Sequence, residues 1–169
     1  MTLLAIDTAT QFISIALHDG RQVMAEQTWR SENHHTVELA PAVRAIMDHA
    51  RLTPADLSAL GVAVGPGSYT GLRIGVALAK GIAAAHRLPL VGVSSFDILA
   101  AGQPRSTGAL ILVLPAGRGR VVTARYTWRK GAWKTRDEAE NVDWDALLAS
   151  IDSAATISGE ISAEGQAKI

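Results

Sequence analysis

The chain has 169 residues, 48% of them hydrophobic, and its acidic and basic side chains are equal in number, so the formal net charge is zero. That apolar share sustains a core and excludes a disordered chain, while neutrality removes any general electrostatic reason to coat nucleic acid or acidic lipid. The absence of cysteine excludes disulfides, thiolate nucleophiles and cysteine metal sites, and fits a reducing compartment.

The opening MTLLAID has no basic leader, and no apolar run reaches the ~18 residues of a membrane span; a cytoplasmic protein is expected. Leu3 to Ile6 reads as a short strand ending at Asp7. Phe12 to His18 alternates, Asp19-Gly20 supplies a hairpin turn, and Val23 to Trp29 resumes an extended pattern, giving a three-stranded meander. Thr36 to Ala50 places Leu39, Val43, Ile46, Met47 and Ala50 on one helical face, with Pro41 costing that helix one backbone donor. In LTPADLSAL, Thr53, Pro54 and Asp56 form a capping pattern. A strand from Gly61 to Gly65, a helix from Thr70 to Arg87, a strand from Leu90 to Val93 and a short helix from Ser95 follow.

This order predicts a mixed five-stranded sheet, its first three strands antiparallel and its last two parallel through a helical crossover. The turn-rich AAGQPRSTG then marks a boundary between a first lobe, residues 1–101, and a shortened second lobe, residues 102–169. There, Ala109 to Leu114, Arg120 to Trp128 and Ala155 to Ser158 read as strands and Asp143 to Ile151 as a helix, with a polar tail expected to fray. No tandem repeat is evident. Charge is segregated: Arg105, Arg118, Arg120, Arg125, Arg129, Lys130, Lys134 and Arg136 precede a block of eight acids that starts at Asp137. The expectation is that the two blocks face each other within the lobe, although bases interleaved with Tyr126, Trp128 and Trp133 also suit an RNA backbone.

The stretch GVAVGPGSYTGLRIGVALAKG admits two readings, a phosphate cradle or a helix built for close packing. The P-loop pattern fails because Lys80 follows Ala79 and precedes Gly81, and the dinucleotide fingerprint fails because Gly65, Gly67 and Gly71 miss its spacing. On the helix, Arg73, Lys80 and Arg87 form one narrow polar stripe. Leu72, Val76, Ala79 and Ala83 lie to one side, Ile74, Leu78, Ile82 and Ala85 to the other, and Gly71 and Gly75 behind. That apolar arc is more than twice the ~100° a surface helix needs. The excess predicts cover by another molecule over Leu39, Val43, Ile46 and Met47 of the first helix and Leu72, Arg73, Gly75, Val76, Leu78, Ala79, Lys80, Ile82 and Ala83 of the second. Asp7, Thr8 and Thr10, with Gly65 and Gly67, are weaker candidates for a nucleotide site, in which a carboxylate would orient a metal-bound water and hydroxyls would meet phosphate oxygens; the competing reading is that Asp7 and Thr10 satisfy turn amides. His34 and Glu38, one helical turn apart, lack a third metal ligand, and SENHH reads as a polar entry loop. Ser94 or Ser95 is expected to cap the short helix. No catalytic residue, metal ligand or cofactor is expected.

LLAIDTATQFISIAL, GPGSYTGLRIGVALAKGIA and PLVGVSSFDILA together resemble the TsaB (YeaZ) family over residues 1–101. The resemblance implies an actin-like (ASKHA) fold of two ribonuclease-H-like lobes. It also implies a non-catalytic scaffold that pairs with TsaD, TsaE joining, for threonylcarbamoylation of the adenosine next to the anticodon of ANN-decoding tRNA; alone, such a chain pairs with itself. TsaD-type members carry two metal-binding histidines four residues apart, and the matching positions here are Ser95 and Leu99, of which leucine cannot ligate. The second lobe departs from the family's D-A-R-x-G-E-V-Y-like run, with Pro115 and Arg120 at its acidic positions, and too few elements are expected there for a full lobe. The alternative reading is an actin-like ATP-binding phosphotransferase or ATPase using Asp7 and the Gly65–Gly67 turn.

Overall fold

The computed structural model describes residues 1–32 and 34–169; Asn33, in the expected entry loop, lies outside the described residues. The chain divides into two compact units, Met1–Ser95 and Phe96–Ile169.

In the first unit, β1 (Leu3–Asp7), β2 (Phe12–His18) and β3 (Val23–Arg30) form the expected meander, followed by α1 (His35–His49), β4 (Ala59–Ala63), α2 (Tyr69–His86) and β5 (Leu90–Val93). The sheet runs β3-β2-β1-β4-β5, antiparallel across the meander and parallel from β1 through β4 to β5. Alternation explains its packing: Leu4, Ile6, Ile13, Ile15, Leu17, Leu60 and Val62 all lie buried in one core with residues of α1 and α2. Pro41 sits inside α1, and the carbonyl to which an N–H at that position would have donated belongs to Val37, an exposed residue that water can reach. Thr53 and Asp56 form the anticipated capping box around a 3₁₀ turn, Pro54–Asp56.

The second unit takes in most of α3 (Ser95–Ala101), then β6 (Ala109–Gly117), β7 (Arg120–Arg129), β8 (Ala132–Thr135), β9 (Glu140–Asp143), α4 (Trp144–Ala149), β10 (Ala155–Gly159) and α5 (Ala163–Lys168). The division falls before Phe96 and not at Ala101, because Phe96 and Ala100 bury in this unit's core beside Leu110, Leu112, Leu114 and Tyr126. The sheet runs β10-β6-β7, and β8 and β9 share the far edge of β7 end to end as one interrupted strand. A second cluster, Ile111, Val113, Val121, Trp144 and Leu147, takes the alternate residues of β6 and β7.

One expectation fails here and another holds in part. The tail is ordered, because α5 closes over Trp144 and Lys168 reaches Asp145 at 2.8 Å. The basic and acidic blocks lie side by side, since β7 pairs with β9 and sets Arg120 opposite Asp143, but the side chains form few ion pairs: Arg136 pairs with its own neighbour Asp137, Arg120 donates to Asn141, and Arg125 donates to Ser150. Strand alternation sends those side chains where the pleat dictates, and charge complementarity along the sequence does not override it.

Candidate functional site

The glycine turn and α2 are one construction. Gly71 and Gly75, one helical turn apart, share a face of α2, and with Gly67 in the turn ahead of it they meet the chain just after β1. A Cβ at Gly67 would overlap the Ala9 carbonyl, one at Gly71 the Thr8 carbonyl, and one at Gly75 the Thr8 hydroxyl. Thr8 is fully buried and donates its hydroxyl to the Gly71 carbonyl at 2.8 Å. The Ser68 amide donates to the Ala9 carbonyl at 2.7 Å, and the Gly71 amide donates to the Ser68 side chain at 3.1 Å. These amides, which a phosphate would need, are already engaged by protein oxygens. The glycines serve close backbone approach.

The nucleotide candidates are accounted for in the same way. Asp7 Oδ1 accepts the Ala9 amide at 2.8 Å, and Thr10 Oγ1 accepts the Phe12 amide at 3.0 Å. These are the turn roles expected of such side chains. Burial pushes the Asp7 carboxyl above its ordinary value, and the Ala9 amide offsets part of that. Gly65 and Gly67 both take positive φ, which favours glycine regardless of any ligand. Ser95 is the first helical residue rather than a cap: its amide donates to the Gly65 carbonyl, and its hydroxyl is buried without a partner among the described residues. Glu38 accepts the Trp29 indole N–H at 3.0 Å, while buried His35 lies 3.3 Å from the Thr10 carbonyl. The Trp29 bond holds the Glu38 carboxyl below its ordinary value. Among the described residues no group of three or more His, Cys, Asp or Glu side chains is placed to hold a metal.

The expected docking set separates into two populations. Leu39, Val43, Ile46 and Met47 of α1 and Gly75, Ala79 and Ala83 of α2 are buried in the unit's own core and present no face to a second molecule. The apolar arc looked too wide because the glycine stripe itself turns inward. Leu78, Ile82 and Ile74 pack half-buried against the same core. Leu72, Arg73, Val76, Ala77 and Lys80 line a shallow groove of about 290 Å³, with Arg73, Ala77 and Lys80 exposed, Leu72 half-buried, and Val76 half-buried against the same core. Tyr69 was missed by sequence reasoning. It is 74% exposed at the start of α2, with the Arg73 guanidinium 5.3 Å from its ring centroid. An aromatic residue four before an arginine was the available signal.

A family model described as "TsaD: tRNA N6-adenosine threonylcarbamoyltransferase" matches residues 22–157. The chain is 39% identical over 151 residues to a "tRNA threonylcarbamoyladenosine biosynthesis protein TsaB" of Bacillus subtilis, covering 88% of this chain and 66% of that protein. It is 38% identical over 128 residues to the Escherichia coli protein of the same name, covering 75% and 55% respectively. The chain thus spans less than two thirds of either curated relative. A solved structure of YeaZ from Pseudomonas aeruginosa superposes with a TM-score of 0.79 at 26% identity, covering 90% of this chain and 72% of that one. The first unit's mixed sheet, β3-β2-β1-β4-β5, lies within the part of the chain that this superposition covers. By these matches the chain belongs to the TsaD-like family and, within it, to the TsaB (YeaZ) group.

Proposed function

We propose that the chain is a non-catalytic scaffold in tRNA threonylcarbamoyladenosine biosynthesis, working in the cytoplasm. It docks TsaD, with TsaE joining the assembly, and TsaD carries out the transfer to the adenosine beside the anticodon of ANN-decoding tRNA. The tRNA reaches this chain through the complex, and in the absence of TsaD a second copy takes the same face. The observation that carries this reading is the outward strip of α2. Leu72, Val76 and Ala77 supply an apolar centre, and Tyr69, Arg73 and Lys80 supply the aromatic and cationic rim common at protein interfaces. The engaged amides of the glycine turn support the scaffold role over an ATP-dependent one. Among the described residues no helix is long and apolar enough to cross a membrane.

Mixing the purified chain with TsaD and measuring mass by light scattering tests the proposal: a stable heterodimer is expected, and two unassociated species would refute it. Magnesium-dependent heat on ATP titration of the isolated chain would instead support an actin-like phosphotransferase or ATPase using Asp7 and the Gly65–Gly67 turn.

A further inference from the structure

The second unit contains a hollow of about 560 Å³ that the docking role leaves unused. Asp97 and Gln103 line it from α3 and the residues just after it, and Trp128, Gly131, Trp133 and Lys134 line it from the β7–β8 hairpin. Its volume lies in the range of small-molecule sites, ~300–1,000 Å³. The hairpin makes the hollow possible. Lys130 and Gly131 both take positive φ, the signature of a tight two-residue turn, and the register then sets Trp128 opposite Trp133. The two rings meet edge to face with centroids 5.4 Å apart. Trp133 is buried and donates its indole N–H to the Gln103 carbonyl at 3.2 Å, so it is fixed as part of the wall. Trp128 stays half-buried and lines the space.

The polar groups are oriented as well. The Tyr126 hydroxyl donates to Asp97 Oδ1 at 2.7 Å. Burial, then Asp97 itself, push the Tyr126 phenol far above its ordinary range, so it remains a donor. Lys134 lines the hollow from the edge strand β8, where its exposed side chain has no carboxylate within 4.0 Å among the described residues. The same holds for Arg129 and Lys130 beside it in the hairpin.

We propose that this hollow binds a nucleotide, its base lying against Trp128 and presenting an N–H edge to Asp97, its phosphate held by Lys134. Each other ligand class leaves one wall unanswered. A cationic side chain would suit Trp128 and Asp97 but be repelled by Lys134. A purely apolar ligand would strip water from the Asp97 carboxylate with nothing in return. A sugar phosphate would satisfy Lys134 and leave the indole bare. A base carrying a phosphate answers all three walls, and stacking on an indole tolerates any base. The nucleotide can arrive free or as part of an RNA strand, whose further phosphates would meet Arg129 and Lys130.

The inference does not depend on TsaD docking, and the isolated chain suffices to test it. Proton–nitrogen spectra of the labelled chain are recorded while adding adenosine 5′-monophosphate, ribose 5-phosphate, or a single-stranded RNA hexamer. The nucleotide should shift the Trp128 indole and Gly131 amide saturably, and ribose 5-phosphate should not. Trp128→Leu should weaken binding roughly tenfold to a hundredfold, the effect of losing a stacking platform. Asp97→Asn keeps an oxygen for Tyr126 and should weaken it about tenfold. Lys134→Glu, on an exposed side chain that folding does not need, should abolish the phosphate contribution. Tighter, salt-sensitive binding of the hexamer identifies an RNA strand as the source, and equal affinity identifies free nucleotide. No saturable shift at millimolar nucleotide, an equal shift from ribose 5-phosphate, or unchanged binding by Asp97→Asn and Lys134→Glu would overturn the proposal.

Discussion

The two units share a strand plan and fill it differently. In each, a strand parallel to the first of its sheet, β4 beside β1 and β10 beside β6, leads to a positive-φ glycine, Gly65 or Gly159. Three residues later a serine caps a helix, Ser68 or Ser162, accepting the amide of a glycine three further on, Gly71 at 3.1 Å or Gly165 at 3.2 Å. In both turns an amide also donates to a carbonyl of the first strand's chain, Ser68 to Ala9 just past β1 and Glu160 to Val113 in the middle of β6. The first unit then seats its helix by removing side chains, and no aromatic ring is among the fully buried described residues of its core cluster. The second unit seats its helices on large rings, Phe96, Tyr126, Trp133 and Trp144, and Gly165 lies against the Trp144 indole. The same backbone device thus serves a close helix-on-sheet contact in one unit and an aromatic floor in the other. Among the described residues no strand occupies in the second sheet the place that β5 holds in the first.

If rings carry the second unit, Trp144→Ala has the largest effect, a loss of about 3–5 kcal/mol from cavity formation, read by equilibrium denaturation; Trp144 is 1% exposed, so little relaxation is available. If close approach carries the first, Gly75→Ala costs about 1–3 kcal/mol through overpacking against Thr8. Gly81, on the same helix, has nothing within 4 Å of an added Cβ, so Gly81→Ala should stabilise by about 1 kcal/mol. Opposite signs at two glycines six residues apart sharpen the comparison; equal signs would break it. The smallest effect belongs to Asp7. Its raised pKa means the folded state favours the proton, so that contribution is present below the unfolded value of 3.8 and disappears as pH rises through the folded value. Asp7→Asn, which keeps an acceptor for the Ala9 amide, should therefore melt above the parent at neutral pH, with the gap narrowing in acid.

Much of this plan was readable in advance. The short apolar run of β1, the alternation in β2, the Asp19-Gly20 turn and the Thr53–Asp56 cap are local signals, and each appears within a residue or two of its expected place. The interrupted strand β8/β9 was not readable, because two four-residue segments carry too little periodicity to count as strands. The repeated turn escaped notice because GPGSYTG and GEISAEG share only their glycine and serine positions. The face of α2 was misjudged for a physical reason. A glycine in a helix announces that something comes close without saying what, and here it was the protein's own Thr8 and Ala9, not a partner. That reassignment leaves the proposed docking face narrower, with the exposed Ala77 at its centre.

The most direct measurement is light scattering of TsaD mixed with the Ala77→Arg chain, with Gly81→Ala run alongside as a folded control. Loss of the heterodimer in the first and its retention in the second is the predicted result. A complex that forms with Ala77→Arg as readily as with the parent would contradict the claim that the outward strip of α2 is the docking face.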